Sequence, residues 1–333
     1  MSVVLRDYQQ GGVGAIRAAF RAGRRAVAYV APTGSGKTVV MSYIAAGTTG
    51  KNNRLTILVH RQELIRQTAA ALTSFGVPFG IIAAGHPPAY DEPVQLAMVA
   101  TLANRPDVGE PPHFLICDEA HHILADTYRA IIARFPKAKI LGLTATPQRL
   151  DGRGLGAVFE ELVIGPTVQE LVDRGFLARP IYYAPPGGVD MAGVKRTAGD
   201  FNRAQTAERV DRPTITGSAV EHYARLCPGL PAVAFCVSVA HAEHVRDQFI
   251  AAGFPAASID GTLGDEDRID RVAALAEGRI KVLTSVDVIS EGFDLPCVSV
   301  AILLRPTESL ALHLQACGRV LRPKPDGGSA IVL

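Results

Sequence analysis

Residues 26–38 read AVAYVAPTGSGKT. An apolar pentapeptide with two valines runs straight into a glycine-bearing turn, and a helical pattern opens at Thr38. Strand, glycine loop and helix in that order form the context of a phosphate-binding loop. Gly34 and Gly36 lack a Cβ, so backbone N–H groups can close around phosphate oxygens. The helix N-terminus that follows adds about half a positive charge. Thr33, Gly34, Ser35, Gly36, Lys37 and Thr38 are the expected nucleotide contacts. Lys37 is expected to reach the β- and γ-phosphates, and Thr38 to ligate Mg²⁺. The strict pattern opens with Gly, whereas this one opens with Ala31. The competing reading is a tight turn that merely caps a helix. Taken alone, the stretch announces a nucleoside triphosphate and nothing finer.

Downstream, residues 114–117 are another buried-type strand, and Asp118-Glu119-Ala120-His121 follows directly. Two adjacent carboxylates at the C-terminal end of a strand are costly unless a cation or substrate uses them. Asp118 is expected to hold Mg²⁺, and Glu119 to orient and deprotonate an attacking water. The alternative is a solvated loop with an accidental acidic pair. His121 and His122 have no further ligands at zinc spacing, so His121 reads as a polar contact between the site and its neighbours. Far along the chain, residues 315–322 read QACGRVLR and end a helical pattern. Arg319 and Arg322 share one face if that helix persists. Their forked donors suit the charge that grows on a transferring phosphoryl group. The first half has no comparable pair beside its phosphate loop. Arginines supplied from the second half would make hydrolysis depend on closure of the two halves. Gly11-Gly12-Val13-Gly14, by contrast, has no strand before it and reads as part of a helix, not a dinucleotide site.

The whole chain frames these sites. Its 333 residues, 48% hydrophobic and 20% charged, allow about two domains. A net charge of +2 does not announce nucleic acid, so any basic surface must be local. Five cysteines without a C-x-x-C pair suggest neither zinc nor a disulfide framework, and a reducing cytoplasm is the simplest expectation. The N-terminus lacks a signal peptide's apolar region, and no apolar run reaches the roughly 18 residues of a membrane helix. Without Trp, a Trp-based base-stacking platform is excluded.

Candidate strands at 26–30, 55–59, 94–99, 114–117 and 140–143 alternate with helical patterns such as 62–74. That alternation predicts an α/β fold with a mainly parallel sheet. A second series has strands at 232–237, 257–259, 281–283 and 298–303, with helices at 240–251, 265–277 and 310–319. Residues 331–333 look like the start of one more strand. The expected division is 1–165 for a first lobe, 166–212 for a connection and 213–333 for a second lobe. The connection holds Pro180, Pro185, Pro186, Gly187, Gly188 and a polar run at 195–203, with a strand at 180–184.

Taken in order, the motifs resemble those of superfamily 2 helicases of the DEAD/DEAH-box type. The similarity is to the DNA-translocase branch that includes XPB-like repair helicases and restriction-enzyme motor subunits, in their bacterial or phage form. It covers nearly the whole chain. Leu5-Arg6-Asp7-Tyr8-Gln9 resembles the adenine-contacting motif, implying ATP contacts from Arg6 and Gln9, with Gln9 reading the base. APTGSGKT is motif I, and 59–64 resembles motif Ia. Ala100-Thr101-Leu102 with Arg105 resembles a nucleic-acid motif, and Asp118–His121 is motif II. Residues 143–147, LTATP, are motif III, continued by Arg149, Asp151 and Gly152. Residues 235–238 resemble motif IV, 284–294 motif V and 315–322 motif VI.

The resemblance implies two RecA-like lobes with an ATP cleft between them. It implies an ATP- and Mg²⁺-dependent helicase or translocase, on DNA before RNA, with catalytic Lys37, Asp118, Glu119, Arg319 and Arg322. Gly292 and Asp294 are implied near the nucleotide. His121, Thr144, Thr146 and Gln315 are implied as coupling residues. Arg61, Thr101, Arg105, Thr262 and Thr284 are implied as nucleic-acid contacts. An RNA helicase shares the same motif chemistry. A non-hydrolysing binding module is the third reading, and the presence of Lys37, Glu119, Arg319 and Arg322 speaks against it. Family members continue beyond motif VI, so the expected full chain is longer, and no nuclease, zinc or wedge module is visible here.

Overall fold

A computed structural model describes residues 4–51, 53–87, 89–105, 108–147, 154–184, 189–197, 200–289, 295–324 and 327–333. The expectations placed on Arg149, Asp151, Gly152, Pro185, Pro186, Gly187, Gly188, Gly292 and Asp294 lie outside these residues. The chain divides into two compact units, Met1–Val168 and Gln169–Leu333.

In the first unit the elements run α1 (Asp7–Arg21), β1 (Ala26–Val30), α2 (Lys37–Thr49), β2 (Leu55–Val59), α3 (Gln62–Ser74), β3 (Phe79–Ile82), β4 (Val94–Met98), α4 (Val99–Ala103), β5 (Phe114–Cys117), α5 (Asp126–Arg134), β6 (Lys139–Thr144) and β7 (Glu161–Ile164). The seven strands form one sheet in the order β3-β4-β2-β5-β6-β1-β7, parallel throughout. Strands buried on both faces need apolar residues at every position. All five residues of β1 and all five of β2 are buried. Period-2 alternation sends Val27 and Tyr29 to one apolar cluster, with α1, α2 and α3, and Ala26 and Ala28 to another, with α4 and α5.

Gly12 lies inside α1 and is buried where a Cβ would come 2.9 Å from the Tyr29 ring. Gly12 therefore allows close packing of α1 on β1, and the glycine cluster lies in a helix, as the sequence predicts.

The second unit contains α6 (Val168–Asp173), β8 (Pro180–Tyr182), β9 (Arg196–Thr197), β10 (Asp200–Phe201), α7 (Arg203–Val210), α8 (Pro213–Leu226), β11 (Ala232–Phe235), α9 (Val239–Ala251), β12 (Ala256–Ile259), α10 (Asp265–Ala276), β13 (Val282–Ser285), β14 (Val300–Leu303), α11 (Leu310–Gly318) and β15 (Ala330–Val332). Its six-stranded sheet has the order β12-β13-β11-β14-β15-β8, again parallel. Tyr223 of α8 meets Phe249 of α9 and Phe254 edge-on, at 5.3 and 5.0 Å between centroids, over this sheet. The strand expected at 180–184 is β8, an edge strand whose Ile181 pairs with Ile331.

Candidate nucleotide site

Parallel strands carry their ligand-facing loops at their C-terminal ends. In the first unit β5, β6 and β1 are consecutive neighbours. The phosphate loop follows β1, Asp118-Glu119 follows β5, and Thr144–Thr146 follows β6. Register brings Thr144 opposite Val30, and the Ala31 N–H donates to the Thr144 carbonyl at 3.0 Å. Thus the topology gathers three segments that sequence alone could only name separately.

The loop has the glycines it needs: φ is 85° at Gly34 and 84° at Gly36, the left-handed region. Gly36 is the N-cap of α2, and Lys37 opens the helix. Lys37 Nζ donates to the carbonyls of Ala31 at 3.0 Å and Pro32 at 3.3 Å, so the ammonium spans the loop it is expected to arm. Ser35 is buried, and Thr33 and Thr38 are half-buried.

The start of α1 lies over the same loop. Tyr8 Oη and Gln9 Nε2 both donate to the Ser35 carbonyl, at 2.9 and 3.1 Å. Gln9 Oε1 accepts from the Arg6 N–H at 2.9 Å. Both ends of the Gln9 amide are therefore engaged by the protein, each by one hydrogen bond. A Cβ on Gly36 would meet Gln9 Nε2 at 2.4 Å. Arg6 is exposed, and its guanidinium donates to Tyr8 Oη at 3.1 Å. Tyr8 was given no role from sequence. Its place beside Gln9 was the signal.

Asp118 is 8% exposed. Burial raises its pKa to about 6, and the Glu119 charge beside it adds to the rise. Lys37, the Glu119 N–H and His60 pull it back. That N–H donates to Asp118 Oδ1 at 3.0 Å. Glu119 has φ 48° and ψ 55°, left-handed for a residue with a Cβ. Such strain, on the order of 1–2 kcal/mol, persists only where the surroundings fix the backbone. The short 3₁₀ turn Ala120–His122 follows at once. Buried His121 places Nδ1 3.4 Å from Glu119 Oε2. The His122 ring lies tilted against those of His121 and His60, at 4.2 and 4.4 Å between ring centroids. Thr144 and Thr146 are buried and close on each other: Thr144 Oγ1 donates to the Thr146 carbonyl at 2.9 Å and accepts its N–H at 3.2 Å.

Among the described residues no group of three or more His, Cys, Asp or Glu side chains could cage a metal. That suits Mg²⁺, which takes one or two protein oxygens and completes its shell with water and phosphate. A buried carboxylate and a threonine hydroxyl, from Asp118 and Thr38, are donors of the right hardness.

In the second unit α11 ends at Gly318 with Arg319 as its C-cap, close to the expected 310–319, so the condition under which Arg319 and Arg322 would share a helix face is not met. Gln315 is 3% exposed, and its amide has no hydrogen-bond partner among the described residues.

The expected nucleic-acid contacts divide. Arg61 is the half-buried N-cap of α3, and Thr101 lies half-buried on α4. Arg105 donates to Tyr90 Oη at 3.3 Å. The backbone N–H and the hydroxyl of Thr262 both donate to Asp260 Oδ1, at 2.7 and 2.6 Å. Thr284 is wholly buried, and its hydroxyl donates to the Ala242 carbonyl at 2.9 Å. In this arrangement both threonine hydroxyls donate to oxygens of the protein. They stabilise a turn and a strand–helix contact.

Comparison with known proteins agrees with the motif order. Residues 2–149 match the family of the type III restriction enzyme res subunit, and residues 220–324 match the helicase conserved C-terminal domain. A 51.5 kDa protein of a Lactococcus phage is 35% identical over 87% of this chain and 61% of its own length. The DNA 3'-5' helicase XPB of Mycobacterium tuberculosis is 29% identical over 98% of this chain and 59% of its own. The chain thus spans about three fifths of these relatives. The ATP-dependent type ISP restriction-modification enzyme LlaBIII, solved bound to DNA, shares the fold over 100% of this chain and 28% of its own, with TM-score 0.71 at 17% identity. No helix among the described residues is long and apolar enough to cross a membrane.

Proposed function

From a chain that belongs to the superfamily 2 helicases, with two RecA-like lobes, we propose an ATP-dependent motor that moves on nucleic acid, DNA in preference to RNA. The observation that carries the reading is the meeting of the phosphate loop, Asp118-Glu119 and Thr144–Thr146 at adjacent strand ends.

In the proposed cycle Lys37 leaves the Ala31 and Pro32 carbonyls for the β- and γ-phosphate oxygens. The N–H groups from Gly34 to Thr38 hold the same phosphates. Asp118 and Thr38 would provide the protein's share of a Mg²⁺ shell, and the ion would supply neutralisation of the phosphate charge. Glu119 Oε accepts a proton from the attacking water, and His121 beside it fixes the carboxylate's direction. Arg319 and Arg322 come from the second unit and stabilise the developing charge. Turnover then requires both units, and that requirement ties hydrolysis to movement. Arg61, Thr101 and Arg105 are the proposed backbone contacts in the first unit. Five free cysteines suit a reducing cytoplasm.

DNA is preferred because a relative aligned over nearly the whole chain carries the name DNA 3'-5' helicase. RNA is the second reading because the motif chemistry is shared. Steady-state ATPase without nucleic acid, with single-stranded DNA, with duplex DNA and with RNA separates them, using Glu119→Gln as the blank. Selective stimulation by DNA is expected. Equal stimulation by RNA would transfer the proposal to the second reading, and no turnover under any condition would end it.

A further inference from the structure

The polar run at 195–203 takes no part in the proposed cycle. Its two arginines are engaged by carboxylates. Arg196 forks onto Glu308, with Nη2 2.6 Å from Oε1, and Arg203 pairs with Asp287. The Lys195 N–H donates to Gln205 Oε1 at 2.8 Å. The run folds as the antiparallel pair β9–β10, in register Asp200↔Thr197 and Phe201↔Arg196, and leads into α7.

Its contacts converge on two loops of the second unit. Asp287 lies two residues beyond β13, on the loop that leads to the motif V stretch. Arg305, Thr307 and Glu308 follow β14 and lead to Ser309, whose side chain caps α11 by accepting from the Leu312 N–H. Asp200 is the centre. Its carboxylate accepts from Thr307 Oγ1 at 2.9 Å and from the Glu308 N–H at 2.9 Å, and lies 3.7 Å from Arg305 Nη2. Arg305 also places Nη1 2.5 Å from Asp287 Oδ1. One guanidinium thus joins both loops to the hairpin. Asp287 itself sits at φ 58°, in the left-handed region that residues with a Cβ seldom adopt, Asp among the more tolerant. Two arginines hold it. The side chains of Asp200 and Arg305 are 16% and 17% exposed, so solvent screens this pair less than a rim pair.

We propose that the hairpin β9–β10 is a brace, in which Asp200, Arg305 and Asp287 are positioning residues that fix the loops after β13 and β14 and so the presentation of Gln315 and Arg319 by α11. The brace rests on the ATPase reading given above. Because the proposed phosphate and Mg²⁺ contacts of Lys37, Thr38 and Asp118 lie in the first unit, a loosened brace should lower turnover more than it weakens nucleotide binding.

The test uses the full chain. Asp200→Ala should lower kcat about tenfold while the Kd of a non-hydrolysable ATP analogue stays within about twofold. Asp200→Asn, which keeps an acceptor for the Glu308 N–H, should recover most of that loss. Amide hydrogen exchange should quicken at 286–289 and 310–318 in the Ala variant. Thr307→Val removes the hydroxyl that donates to Asp200 and accepts from the Ser309 N–H, without unpairing a charge, and it takes the place of Asp200→Ala if the latter does not fold. A folded variant with kcat within about twofold of the parent and unchanged exchange overturns the brace. So does a loss of analogue affinity that matches the loss of kcat. A parent chain without turnover would count against the ATPase reading, and the exchange result alone would then decide the brace.

Discussion

Glu119 combines two properties that rarely meet in one residue. Its backbone is left-handed, and its carboxylate faces a buried histidine at 3.4 Å. A residue held in strain beside a fixed partner is preorganised, so its chemistry can be removed without moving its neighbours. Glu119→Gln should therefore lower turnover by about 10²–10⁴ while leaving the Kd of a fluorescent ATP analogue unchanged. Retained turnover would sink its assignment as base. Asp118 makes a different prediction. Burial raises its pKa from 3.8 to about 6, so ionising it opposes folding. Its neutral form carries no such penalty below pH 3.8, and the advantage is lost as pH rises through 6. In metal-free protein, the gain in thermal midpoint from Asp118→Asn should grow between pH 4 and pH 7 by a few degrees, from a few kcal/mol at most. Saturating Mg²⁺·ATP should abolish or reverse that gain, because bound Mg²⁺ favours the ionised carboxylate. A gain that is flat with pH would remove the burial argument.

Elements were legible where burial made the sequence monotonous. β1 and β5 are apolar along their length, β2 is so but for Thr56, and their bounds follow from composition. The edges of the first sheet, β3 and β7, were not legible. β7 pairs only with β1 and leaves Leu162 and Ile164 exposed, so its side chains carry no buried stripe. α7 and α8 were also missed, although Asn202 accepting from the Gln205 N–H and Pro213 in the first turn are start signals. The catalytic motifs were legible because the chemistry fixes residue type. The commitment of Gln9, Thr262 and Thr284 to protein partners was not, since a hydroxyl or amide looks the same in sequence whether its partner is a carbonyl or a phosphate.

The strand β6 shows how an element disciplines the site. A Cβ on Gly142 would come 2.3 Å from Phe159 Cζ and 2.8 Å from Ala120 Cβ. Phe159 is 4% exposed and cannot swing out, and Ala120 follows Glu119 directly. Gly142→Ala should destabilise the protein by about 1–3 kcal/mol, read by urea unfolding. The same push on Ala120 should also reduce turnover of the folded fraction. An unchanged unfolding midpoint would show that β6 yields without strain.

At the scale of the whole molecule, the division of labour between the two units is itself testable. Lys37, Asp118 and Glu119 belong to Met1–Val168, and Arg319 and Arg322 to Gln169–Leu333. If the second unit contributes only to the charge that develops during hydrolysis, its lesions and those of the first should separate. Lys37→Ala removes a ground-state contact and should weaken binding of an ATP analogue and turnover together. Arg319→Ala should leave analogue binding within about twofold and cut nucleic-acid-stimulated turnover on the order of 10³-fold, the size of a lost arginine finger. Because Arg322 lies beyond the end of α11 and not on its face, Arg322→Ala need not copy Arg319→Ala, and a pair sharing one helical face would have failed alike. If Arg319→Ala weakens analogue binding as much as turnover, the arginine belongs to the ground-state site, and the proposed dependence of hydrolysis on two units loses its main support.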